Sequence, residues 1–130
     1  MIQKCSYDFL PVIAGPYVHA TKHNQTLYIS GLTAFGTDVQ CGELSKQTEE
    51  VLSQLLKILD YEACSVSDLI KVTIFVTDIT QLSSIRQQLF DVYQNHLPAC
   101  SLVEVSALIH SDLKIEIEAI AALNSNGGHQ

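Results

Sequence analysis

Leu97-Pro-Ala-Cys-Ser101 sets a thiol between a small residue and a hydroxyl. A cysteine attacks as its thiolate, so a nucleophilic Cys100 requires a nearby cation, a helix N-terminus or a paired histidine to lower its pKa. His96 lies four residues earlier, but Pro98 intervenes and leaves their geometry unreadable. Cysteines 5, 41, 64 and 100 show none of the C-x-x-C spacing that zinc and redox sites use. They read as reduced thiols serving as small buried hydrophobes. His19 and His23 have a spacing seen among metal ligands, yet a turn separates them and no third ligand is evident, so no metal is expected. Glu116 and Glu118 share one face of an extended segment because their separation is even. Two carboxylates on a strand otherwise made of Ile, Leu and Ala point to a polar cleft or a subunit interface. Glu104 reads either the same way or as the partner of a basic neighbour.

The chain that must position these groups has 130 residues, 47% apolar and 16% charged, which fits one folded domain with a single core. Seven basic against 14 acidic residues give a formal charge of −7, with no basic patch to neutralise phosphates, so nucleic acid is not an expected partner. No apolar run reaches the length of a membrane helix, and Met1-Ile-Gln-Lys-Cys5 lacks the apolar core of a signal peptide. A cytoplasmic protein is expected. The domain is drawn over residues 1–123, with 124–130 as a disordered tail because nothing apolar anchors it.

Gly15-Pro16 precedes Tyr17-Val-His-Ala20, and Asn24-Gln25 separates that stretch from Thr26-Leu-Tyr-Ile-Ser30, which predicts a β-hairpin. Irregular glycines from 31 to 44 predict an exposed loop. Ser45 is placed as the cap of a helix ending near Tyr61, with Glu49 and Glu50 near its positive end and Val51, Leu52, Leu55, Ile58 and Leu59 along one stripe. Leu69–Val76 alternates Ile70, Val72, Ile74 and Val76 against Lys71 and Thr73, as a central strand would. Asp78 and Gln81 resemble a capping box opening a second helix, carried by Leu82, Ile85, Leu89, Val92 and Tyr93 and stopped before Pro98. Residues 101–108 and 113–121 flank the turn His110-Ser-Asp112 as an antiparallel hairpin. The order β-β-α-β-α-β-β gives an α+β fold: two helices on one face of a mixed sheet, whose other face, also apolar, needs a partner.

Five stretches in this order, Gly15-Pro-Tyr17, Tyr28-Ile-Ser-Gly31, Lys71-Val-Thr-Ile-Phe-Val-Thr-Asp78, Pro98-Ala-Cys-Ser-Leu-Val-Glu-Val105 and Lys114-Ile-Glu-Ile-Glu-Ala-Ile-Ala121, resemble the RidA (YjgF) family of enamine/imine deaminases. The resemblance implies a chorismate-mutase-like fold and a homotrimeric barrel with a small-molecule site in each intersubunit cleft. It implies hydrolysis of 2-imino acids to keto acids and ammonia with neither metal nor cofactor. In that scheme Glu116 positions the attacking water, while Tyr17, Ser30, Gly31, Ser101 and Leu102 line the cleft. The family pattern Pro-Ala-Arg-Ser, whose arginine clamps the substrate carboxylate, reads Pro98-Ala99-Cys100-Ser101 here. Losing a charged hydrogen-bonding partner forfeits about 1.5–3 kcal/mol, roughly one to two decades in binding. Cys100 is therefore read as a passive replacement. Arg86, on the second helix, is either an ordinary solvated arginine or a relocated cation. The functional alternatives are an imine deaminase and a non-catalytic trimer binding an amino- or imino-acid-like ligand. The ribonuclease or translation-inhibitor label given to some family members fits the acidic charge poorly.

Overall fold

The computed structural model describes residues 1–124. Six strands form one mixed sheet: β1 (Gln3–Cys5), β2 (Ala20–His23), β3 (Thr26–Leu32), β4 (Leu69–Val76), β5 (Ala99–Glu104) and β6 (Ile115–Ala122). Their spatial order is β1-β2-β3-β6-β4-β5. Helices α1 (Leu44–Tyr61) and α2 (Ser83–Tyr93) cover one face. Residues 125–130, to which most of the expected tail belongs, lie outside the described part, and the Asn124 amide donates to the Ala63 carbonyl at 2.9 Å.

Several elements form for the reasons visible in sequence. Asn24 and Gln25 both adopt positive φ, 50° and 65°, the backbone hand that a two-residue hairpin turn requires. The stripe Val51, Leu52, Leu55, Ile58, Leu59 is buried against the sheet. α1 ends where Ala63 turns left-handed (φ 59°), with Cys64 N–H returning to the Leu59 carbonyl and Ala63 N–H to that of Asp60, a Schellman closure.

Other expectations are corrected. Ser45 does not cap α1: the cap is Glu43, with no side-chain bond, and Ser45 lies inside the first turn. Asp78 caps a 3₁₀ turn, Ile79–Gln81, through Thr80 N–H, and the Gln81 amide reaches the Asp78 carboxylate rather than its backbone, so this is not a reciprocal capping box. Leu69 rather than Ile70 is buried, because a register shift between Leu69 and Lys71 inserts an extra residue in β4. β2 begins only at Ala20, and β1 is a strand the periodicity did not reveal.

The largest correction concerns the C-terminal strands, which do not form a hairpin. β5 pairs in parallel with β4 at the sheet edge, while β6 runs antiparallel between β3 and β4. Ile115, Ile117, Ala119 and Ala121 are all buried beneath the helices. A hairpin would have left β6 at an edge and β4 short of a neighbour, whereas the central place satisfies the backbone groups of both.

The N-terminal segment is tied down by buried polar contacts. Lys22 and Glu62 form an ion pair at 2.7 Å, with 7% and 1% of their side chains exposed, and the Tyr7 hydroxyl donates to Glu62 at 2.8 Å. Tyr7 N–H donates to His19 Nδ1 at 2.9 Å, which makes Nε2 the protonated nitrogen facing the Pro11 carbonyl at 3.0 Å. The sheet face away from the helices stays open, with Tyr28, Ile70 and Val103 exposed on it.

Candidate active site

Five of the residues singled out in sequence, Glu118 among them, come together. Tyr17, Ser30, Gly31 and Glu116, with Thr33, Ile109 and Glu118, line a cavity of about 380 Å³. β3 and β6 build it. Pairing of Tyr28 with Ile120 and of Ile29 with Ala119, followed by a register shift before Leu32, sets Ser30 and Gly31 beside Glu116. The Ser30 hydroxyl donates to the Val18 carbonyl at 2.6 Å and its N–H to His19 O at 3.0 Å, which holds the segment leading from Tyr17 against β3.

Gly31 has a specific reason to be glycine. A Cβ there would stand 2.6 Å from the carboxyl carbon of Glu116 and 2.9 Å from its Cγ, so the acid lies directly over the bare backbone. Burial, and secondarily the charge of Glu118, push the Glu116 pKa above the usual carboxylate value. A carboxyl so placed keeps its proton to higher pH and can both donate to and accept from a bound group. The cavity thus supplies an acid-base carboxyl, a second carboxylate and a phenol, and among the described residues no Lys, Arg or His lines it.

Arg86, Cys100 and Leu102 do not enter that cavity. With Tyr93, Leu97 and Phe90 among others, they line a separate groove of about 310 Å³ between α2 and β5. Alternation explains the division: Ala99, Ser101 and Val103 lie opposite Lys71, Thr73 and Phe75 in the β4 register, while Cys100 and Leu102 lie opposite the buried Val72 and Ile74. Ser101 accepts a hydrogen bond from the Lys71 ammonium at 3.0 Å. Burial raises the Cys100 pKa and Lys71 only partly offsets it, the opposite direction to thiol activation. Among the described residues the His96 ring makes no hydrogen bond to Cys100.

All four cysteines are free, but the small-buried-hydrophobe reading fails for two of them. Cys100 is exposed, and Cys41 is exposed with its thiol donating to Asp112 at 3.4 Å. Both His19 nitrogens are engaged in the contacts described above, and among the described residues no three His, Cys, Asp or Glu side chains gather into a metal-binding group. Nothing in the sequence marks Thr33 or Ile109, which arrive from irregular segments; Tyr93 was visible only as a helix core position.

The Endoribonuclease L-PSP family model matches residues 10–123, nearly the whole described chain. The chain belongs to this family, that of RidA and YjgF. A RutC family protein from Buchnera aphidicola is 35% identical over 127 residues, covering 95% of this chain and 99% of the relative. A Bos taurus protein named 2-iminobutanoate/2-iminopropanoate deaminase is 30% identical over 116 residues, covering 85% and 82%. Among solved structures, a Rid-family protein of unknown function, YyfA from Yersinia pestis, superposes with a TM-score of 0.82 at 32% identity, covering 94% of this chain and 99% of that one. The α+β family fold, with its mixed six-stranded sheet, is thereby shown, and the relatives support a small-metabolite role.

Proposed function

We propose that three copies of this chain enclose small-metabolite clefts in which a 2-imino acid is hydrolysed to a 2-keto acid and ammonia. The observation that carries this reading is the Glu116 carboxyl, half-buried over Gly31 with its pKa raised, in a cavity shared with Tyr17 and Ser30. Glu116 would hold the attacking water, take one of its protons as oxygen bonds to the imine carbon and pass it to the nitrogen; relay of the hydroxyl proton of the resulting carbinolamine to the same nitrogen then lets the C–N bond break, so ammonia leaves as the carbonyl forms. Water and side chains suffice for these steps. The Bos taurus relative, by its name, acts on such imino acids.

Trimer formation is supported by the open sheet face, whose exposed Tyr28, Ile70 and Val103 are costly to leave in water. Among the described residues no helix is long and apolar enough to cross a membrane. A cytoplasmic location belongs to this proposal. Ribonuclease action is disfavoured by the −7 charge.

One observation favours a second reading, a trimer that binds its ligand without turnover: Cys100 stands where the family pattern has its acid-gripping arginine, and among the described residues no cationic side chain lines the Glu116 cavity. The test supplies 2-aminoacrylate from a dehydratase and follows keto-acid release by the wild type, Glu116→Gln and Cys100→Arg. The deaminase reading expects wild-type release above the spontaneous rate, abolished in Glu116→Gln. Release only in Cys100→Arg, or from no form, would refute wild-type turnover and favour the binding-only reading, which expects 2-oxobutanoate to bind the wild type; absence of that binding would refute it as well.

A further inference from the structure

The groove between α2 and β5 carries features that the Glu116 cavity does not explain. Arg86 is the only arginine in the chain, and among the described residues its guanidinium makes no hydrogen bond or ion pair. It lines the same groove as Cys100, so a cation faces the position from which the family pattern has lost one. Tyr93, also in this groove, is 5% exposed, and its hydroxyl is buried without a hydrogen-bond partner. A buried hydroxyl left unpaired is unfavourable, and a ligand oxygen accepting from it would remove that cost. The other walls, including Leu89, Phe90 and Leu97, are apolar, and Phe90 and Leu97 remain exposed. A planar guanidinium, an unpaired donor and an apolar surround suit a small carboxylate with a short hydrocarbon body.

We infer that Arg86 grips the acid group of the ligand in place of the arginine missing at position 100, with the Tyr93 hydroxyl as its second donor. This inference rests on the small-metabolite reading above. Within one chain Cys100 and Leu102 belong to the helix-covered side of the sheet and Glu116 to the open side. β5, however, is an edge strand, and the Arg86 groove borders it. Arg86 of one copy and Glu116 of another complete a single site where that edge meets the open face of a neighbouring copy. The substrate class is then a 2-imino acid, held by its carboxylate from one copy and attacked at its C=N carbon from the next.

The test measures binding rather than turnover. 2-Oxobutanoate, an unreactive acid with the required skeleton, is titrated into the wild-type protein, with 2-butanone as the control lacking a carboxylate. 2-Oxobutanoate is expected to bind more tightly than 2-butanone. Arg86→Gln should weaken it 10–100-fold without altering 2-butanone binding, and Tyr93→Phe should weaken it about tenfold. Arg86 lies on an exposed helix face, so the fold is retained. Arg86→Gln combined with Cys100→Arg should restore binding by returning the fork to the strand. Equal affinity for the two ligands in the wild type, or unchanged 2-oxobutanoate affinity in Arg86→Gln, would overturn the inference. Arg86-dependent binding in a protein that releases no keto acid would uphold the clamp while refuting the deaminase reading.

Discussion

Replacing Gly31 with alanine separates the position of Glu116 from the stability of the fold. A new Cβ would stand 2.6 Å from the Glu116 carboxyl carbon and nearer still to Oε2, so the acid must retreat by more than about 0.8 Å before both reach the 3.4 Å at which ordinary contact begins. The yielding atoms are the far end of a flexible side chain, and Gly31 is not among the residues with positive φ. The backbone therefore accepts alanine, which also removes freedom from the unfolded chain, worth about 0.4–1 kcal/mol in favour of folding. A displacement near 1 Å in a positioned catalytic group commonly costs on the order of a hundredfold. Keto-acid release from 2-aminoacrylate should thus fall about 10–100-fold in Gly31→Ala, while the melting temperature stays the same or rises slightly. Gly31→Ala combined with Glu116→Gln should lose no more than Glu116→Gln alone, because both act through one carboxyl. Wild-type turnover in Gly31→Ala would show that the reaction does not use the acid where the fold holds it, and the active-site reading would fail with it.

Glu116 also makes stability depend on pH. Its folded pKa is raised above the ordinary 4.5, so its stabilising contribution is complete below 4.5 and is lost as pH rises through the folded value. Glu116→Gln should therefore melt higher than the wild type at pH 7, with the difference closing on acidification; a difference constant with pH would contradict the burial argument. Lys22→Met removes the cation 2.7 Å from a fully buried Glu62 and should destabilise by about 3–5 kcal/mol in urea unfolding, whereas a loss below about 1 kcal/mol would mean that the pair is solvated.

The hairpin about Asn24-Gln25, the span of β4 and the core stripe of α1 were legible because each depends on local turn chemistry or on periodicity. The pairing of β5 was not, because nothing within Ala99–Glu104 distinguishes a parallel edge strand from one arm of a hairpin, and the short turn His110-Ser-Asp112 argued for the wrong neighbour. Ile70 misled for a related reason, since a register shift breaks alternation without changing residue types. Within the site, Tyr17, Ser30 and Gly31 were found through motif resemblance rather than spacing, whereas the even separation of Glu116 and Glu118 already pointed to a polar cleft. The separation of Cys100 from them follows from strand order, which brings together positions far apart in the chain and assigns neighbouring ones to opposite faces.

The placement of β6 has a consequence for biogenesis. During synthesis β1, β2 and β3 leave the ribosome as one small sheet and β4 with β5 as another, and neither can join the other until residues 115–122 have emerged. Until then Ile29, Leu32, Val72 and Ile74 lack the strand that shields their flank, so the nascent chain carries two sticky half-sheets until that strand appears. A ribosome stalled before Ile115 would hold a polypeptide with nearly all of its hydrophobic residues and no means of closing them into one layer, a substrate for chaperones rather than a partly folded domain.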